Sequence, residues 1–194
     1  RGKLREADGV LSVVLGPDTL PDDLRAALAD GSISRIVVTG QGTAAVAGES
    51  LAVALADALS ATAVRVEAVL ATELSGFAMR PDMSDTLVVA ISQSGTTTDT
   101  NRTVDVVRAR GARVVAIVNR RNSDLTDKVD GVLYTSDGRD VEMSVASTKA
   151  FYAQIAAGFL LAAAIAQEVP GAASGGARRS ALLAGLRELP AAME

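Results

Sequence analysis

Five short runs of apolar, mostly β-branched residues recur along this chain: "RIVVTG" (Arg35 to Gly40), "VRVEAVL" (Val64 to Leu70), "DTLVVAIS" (Asp85 to Ser92), "RVVAIVN" (Arg113 to Asn119) and "GVLYT" (Gly131 to Thr135). Most are apolar at consecutive rather than alternate positions, the pattern of strands covered on both faces. Segments with helical spacing separate them: Thr43 to Ser60, a short helix or turn in "ATELSGFA", Thr97 to Arg110, and a turn of helix near Ser123 to Lys128. A long helix is expected from Ser147 to Glu168. Strands alternating with helices and joined by right-handed crossovers imply an α/β fold. The reading is a three-layer αβα sandwich around a five-stranded parallel sheet, flavodoxin-like or Rossmann-like. Hydrophobic residues make up 48% of the chain and aromatics only 3%, so Ala, Val, Leu and Ile must fill the layers.

The expected organisation is a helical lead-in over residues 1–34, the α/β domain over 35–168, and a linker with a last helix over 169–194. "PDTLPDDLRAALADGS" carries acids near its start and a glycine after its last apolar residue, the marks of a short helix. "PGAASGGARRS" reads as a Gly/Ser-rich linker before the amphipathic "ALLAGLRELPAAM". The polar opening "RGKLREADG" has no signal-peptide core, and the numbering is expected to start inside a longer parent protein. Ala150 to Gln167 is uncharged, but its Ala and Gly content and its Tyr152 and Gln154 favour a buried helix over a membrane span.

A net charge of -4 provides no broad basic surface, so nucleic acid is not expected as a partner. With no cysteine and no histidine, the chain builds neither a thiolate metal site nor a His-dependent triad by itself. No metal or resident cofactor is expected, and the location expected is cytoplasmic.

The junction "AISQSGTTTDT" places many hydroxyls between the third strand and the next helix. In a parallel sheet the loops at the carboxyl ends of the strands form the ligand crevice. Ser92 ends the strand, Gly95 permits a turn with the backbone close to a ligand, and Thr96 or Thr97 begins the helix. Backbone N–H groups, the hydroxyls of Ser92, Ser94 and Thr97, and the Gln93 amide would meet a phosphate there, with a helix dipole worth about 0.3–1 kcal/mol behind them. Plain capping needs one hydroxyl; Ser92, Ser94, Thr96, Thr97, Thr98 and Thr100 exceed it.

These residues, together with "VASTKAF" (Val145 to Phe151), resemble the sugar isomerase (SIS) domain family, in the form of the first SIS domain of the glutamine:fructose-6-phosphate amidotransferases. The resemblance runs from about Arg35 to Glu168. It implies that Ser92, Gln93, Ser94, Gly95 and Thr97 hold the phosphate of a hexose phosphate, that Gly42 and Thr43 lie against the sugar, and that Val145, Ala146 and Ser147 line the opposite wall. Ser147 is equally read as the N-cap of the long helix, and Lys149 as a surface or ion-pairing lysine. The resemblance also implies a partner of the same fold, either a second SIS domain in the parent chain or a second copy.

The chain departs from the family in three places. "QGTA" puts Ala44 where the family has a sugar-contacting serine, and "TELSGF" leaves Glu73 without the family's surrounding pattern. Nothing after Glu168 resembles the region that carries the family's catalytic glutamate, histidine and lysine, so no catalytic residue is assigned. Glu142 lies in the matching segment but no motif marks it as a base. The expectation is a domain that binds a sugar phosphate without turning it over, as part of an amidotransferase or as a non-catalytic sensor. A rival reading takes Gly40, Gly42 and Ala45 as a dinucleotide fingerprint with Glu67 or Glu73 as ribose partner; it leaves the hydroxyls without a task.

Overall fold

The computed structural model describes residues 3–136, 148–172 and 177–192. A parallel sheet of five strands carries the fold: β3 (Arg35–Gly40), β4 (Arg65–Leu70), β5 (Thr86–Ser92), β6 (Arg113–Val118) and β7 (Gly131–Tyr134). Their order is β4-β3-β5-β6-β7, so the chain moves outward from β3 to one edge, returns across it, and then proceeds to the other edge. That reversal makes the gap between β3 and β5 the topological switch point. β5 is buried along all 7 of its residues.

Helices cover both faces, as the apolar runs require. Ile36, Val38, Leu87, Val89, Ile91, Val115 and Ile117 point to the face covered by α1 (Asp22–Ala29), α2 (Thr43–Ala58) and α5 (Thr148–Glu168). Val37, Val88, Ala90, Val114 and Ala116 point the other way. There they meet Leu74, Val104 and Val107 from the short helix α3 (Ala71–Glu73), its π-helical continuation Leu74–Ala78, and α4 (Thr98–Ala109). The scarcity of aromatics has a packing consequence. A Cβ on Gly48 of α2 would come to 3.0 Å from Val38, and one on Gly158 of α5 to 3.2 Å from Leu51 of α2. Small residues therefore let α2 lie close to both the sheet and α5. α5 is long and apolar enough to span a membrane by composition, and it packs extensively along α2.

Three differences from the sequence reading stand out. Residues 4–13, read as part of a helical lead-in, form an antiparallel hairpin of β1 (Leu4–Ala7) and β2 (Val10–Val13). Its turn is Asp8-Gly9, both residues in the left-handed region (φ 52° and 75°), a dipeptide suited to a two-residue hairpin loop. The segment Ser123 to Lys128 forms hydrogen-bonded turns rather than helix, with Ser123 O accepting from both Thr126 N (2.8 Å) and Thr126 Oγ1 (2.6 Å). The last helix, α6 (Ala177–Ala192), starts inside the segment read as linker, and its Leu183 is buried.

The outer edge of the sheet is covered by the chain leading into α1. Val132 N donates to Asp18 O (2.7 Å), and Thr19 Oγ1 donates to Val132 O (2.8 Å). Pairing the free side of β7 in this way removes an open edge. The approach is so close that a Cβ on Gly131 would lie 2.2 Å from Thr19 O. Gly131→Ala is thus expected to push this cover off the edge and destabilise the fold by about 1–3 kcal/mol, measured by urea unfolding. Stability equal to wild type would contradict the contact.

The amino end of the sheet is held by ion pairs. Arg35 pairs with Glu67 and Arg80 with Asp85. Asp85 also accepts from Ser34 Oγ (2.7 Å) and Thr86 Oγ1 (2.9 Å). The Arg80 guanidinium holds the Asp85 carboxyl well below the usual range, against the opposing effect of burial, and the two hydroxyls add to the depression. A carboxyl with a depressed folded pKa contributes full stability above its unfolded pKa, about 4, and loses it as pH falls further. The urea midpoint of wild type is expected to fall more steeply below about pH 4 than that of Asp85→Asn; parallel curves would contradict the assignment.

Candidate functional site

β5 ends at Ser92 because the next residues leave the ladder. Gln93 O accepts from Asn119 N and Arg120 N, both at 3.2 Å, which joins the loop after β5 to the loop after β6. Gly95 follows in the left-handed region (φ 68°), and a Cβ there would fall 2.0 Å from Ser123 Oγ. Conformation and space both demand glycine at this position. Thr97 is the N-cap of α4, extended at ψ 117°, and its side chain makes no capping hydrogen bond. Asn101 N is the first backbone donor to close the helix, onto Thr97 O at 3.0 Å. The N–H groups of Thr98, Asp99 and Thr100 are left without an intrahelical acceptor at the positive end of the helix.

The hydroxyls of the loop divide by role. Ser92 is buried and accepts from Gly95 N (3.0 Å), while Ser94 accepts from Thr96 N (3.2 Å) and Thr96 Oγ1 (3.0 Å). An accepting hydroxyl keeps its own O–H to donate. Thr97 Oγ1 lies 3.4 Å from Ser92 Oγ. Thr96 and Thr98 are exposed, Ser94 and Thr97 half-buried. Thr100, counted with the loop in the sequence, is fully buried on the inner side of α4 and does not face the crevice.

Gly42 and Thr43 stand at the start of α2, just beyond β3. Gly42 has φ 60° and caps the helix without a side-chain bond; Thr43 is exposed. Gly40 pairs in register with Ile91, so the loops after β3 and β5 leave the sheet side by side at the switch point. A Cβ on Gly40 would meet Ile91 O at 3.0 Å, which explains the glycine by strand packing and needs no ligand. Ala44 is buried in the apolar cluster under α2. Val145, Ala146, Ser147 and Glu142 lie outside the described residues. Lys149 is exposed in the first turn of α5, and Glu73 is exposed at the end of α3.

Glu67 does not fit the dinucleotide reading, because it is engaged with Arg35 near the amino end of the sheet. A cleft of about 670 Å³ opens at that amino end, between Arg35, Arg65, Glu67, Arg80 and Asp85. It lies at the opposite pole from the hydroxyl loop, and the Arg35–Glu67 and Arg80–Asp85 pairs occupy it. It reads as part of the ion-pair system that ties the strand starts together. Sequence reasoning missed the loop after β6. Asn119 supports its neighbours by accepting from Ser136 Oγ (2.6 Å) and Thr135 Oγ1 (3.2 Å), while Arg121 stacks on Tyr134 at 4.2 Å from the ring centroid. Only the position of Asn119 at a strand's carboxyl end signalled it.

Residues 32–164 match the model of the SIS domain family. The chain is 41% identical over 165 residues to the glutamine–fructose-6-phosphate aminotransferase (isomerizing) of Corynebacterium efficiens, covering 84% of this chain and 25% of that protein. It is 48% identical over 108 residues to the enzyme of the same name from Mycobacterium tuberculosis, covering 55% of this chain and 16% of that one. Among solved structures, the C-terminal domain of glucosamine-fructose-6-phosphate aminotransferase from Francisella tularensis superimposes with a TM-score of 0.74 at 26% identity, over 96% of this chain and 48% of that chain. The chain therefore spans about a quarter or less of the length of these curated relatives. A five-stranded parallel sheet with its switch point beside the hydroxyl loop, and a family match over most of its length, place this chain in the SIS domain family.

Proposed function

We propose that this domain binds the phosphate of a hexose 6-phosphate in the loop between β5 and α4. The observation that carries the reading is the convergence of neutral donors at one place. Free N–H groups of the first turn of α4 and the Thr97 hydroxyl, unused as a cap, stand with the Ser94 hydroxyl at the switch point of the sheet. A phosphate dianion needs several donors, and neutral ones bring no counter-charge that must itself be stripped of water. The sugar would extend towards Gly42 and Thr43. The relatives are glutamine–fructose-6-phosphate aminotransferases (isomerizing), which supports fructose 6-phosphate as the first candidate.

Binding without turnover is the second part of the proposal. Aldose-ketose isomerisation needs a base positioned to move a proton between adjacent carbons. Glu73, the acid after β4, is exposed at the end of α3. Ala44, which stands where the family has a sugar-contacting serine, packs its methyl group in the apolar cluster. On this reading the domain is the phosphosugar-binding part of a longer, cytoplasmic, amidotransferase-like protein, and catalysis would require residues outside this chain. Pairing with a second domain of the same fold belongs to the same proposal. A sensor role is the second reading, favoured by the Ala44 methyl.

Titration calorimetry and thermal shift with fructose 6-phosphate, glucosamine 6-phosphate, inorganic phosphate and NAD test it. The sugar phosphates are expected to raise the melting temperature and NAD to leave it unchanged. Ser94→Ala and Thr97→Ala are each expected to weaken sugar-phosphate affinity about tenfold, the worth of one hydrogen bond to a charged group. Stabilisation by NAD alone would overturn the reading in favour of a dinucleotide site.

A further inference from the structure

Asn101 sits in the first turns of α4, 5% exposed, at a position where an apolar residue would pack and favour the helix. Its side chain does something an apolar residue cannot. Nδ2 donates to Gly95 O (3.0 Å) and to Thr97 O (3.1 Å), one bond to each side of the turn that enters the helix. Two acceptors facing one group call for a side-chain amide NH2, which has two donors. Its Oδ1 has no partner among the described residues, so the asparagine is used as a donor alone.

We propose that Asn101 is the positioning residue of the anion loop, holding it in its binding shape before any ligand arrives; this rests on the phosphosugar reading given above. In a trans peptide the N–H points away from the preceding carbonyl. Drawing Gly95 O and Thr97 O inwards therefore turns the N–H groups of Thr96 and Thr98 outwards. The Thr96 N–H is met there by Ser94 Oγ, which aligns that hydroxyl as well. Leu125 N supports the same Gly95 carbonyl at 3.0 Å, and Gly95 itself is seated against Ser123. Donors fixed in advance bind more tightly, because their ordering does not have to occur on binding.

The assignment separates positioning from folding. In Asn101→Leu, Gly95 O keeps the Leu125 N–H, Thr97 O keeps the backbone N–H of residue 101, and no donor is left unpaired because Oδ1 accepts from none. The variant is expected to melt close to wild type while its affinity for inorganic phosphate and fructose 6-phosphate falls by roughly tenfold or more. Amide hydrogen exchange at Gly95, Thr96 and Thr97 is expected to quicken without ligand. Asn101→Ser, whose hydroxyl reaches the carbonyl four residues back but not Gly95, is expected to weaken binding in the same direction. Wild-type affinity in both variants, with unchanged exchange at these amides, would overturn the role of Asn101 and leave the phosphosugar reading standing. A wild-type protein that binds neither anion would sink both.

Discussion

A strand buried on both faces and paired on both edges tolerates no uncompensated charge, and β5 is such a strand from Thr86 to Ser92. The proposed site is arranged around the place where that strand stops. Its neighbours β3 and β6 run parallel to it, so all three release their chains at the same end. The reversal of strand order between β3 and β5 sends α2 to one face and α4 to the other, and in open parallel sheets ligands bind at such a reversal. The apolar packing below is thus the cause of the polar gathering above.

Residues 92–98 include no lysine or arginine, so hydroxyls, an amide and backbone N–H groups are the donors the loop has to offer. Hydroxyls and backbone N–H groups satisfy one another, as the Ser92 to Gly95 and Ser94 to Thr96 bonds show, and the hydroxyls still retain O–H groups to offer. Ion pairs gather at the far, amino end of the sheet, where Arg35 pairs with Glu67 and Arg80 with Asp85. Ion pairs thus hold the strand starts, while the loop after β5, at the other end, offers neutral donors.

Much of this could be read from residues alone, and the reasons for the failures are physical. The strands were legible because consecutive Val, Ile and Leu runs are hard to place except in a doubly covered sheet, and Arg35 to Gly40 ends where the structure ends it. The hairpin at residues 4–13 escaped because its strands are short and alternate poorly, although its Asp8-Gly9 turn is a legible hairpin signal. Thr100 was counted with the loop because one-dimensional spacing does not tell the inner from the outer side of a helix's first turn; the structure buries it. The supporting roles of Asn101, Ser123 and Asn119 were invisible for a different reason. Each acts through hydrogen bonds or steric contact with the loop backbone, and backbone acceptors leave no trace in the identity of the residues that carry them.

The central claim is that the backbone and hydroxyl donors from Ser94 to Thr98 receive the phosphate group. Amide chemical-shift mapping by NMR during titration with fructose 6-phosphate tests this most directly. The account predicts that the largest shifts fall on the backbone amides of Ser94 to Thr98, with smaller ones at Gly42 and Thr43, and that the amino-end residues Arg35, Glu67 and Arg80 stay unmoved. Shifts centred on those arginines at the opposite end of the sheet, with the loop after β5 silent, would contradict it.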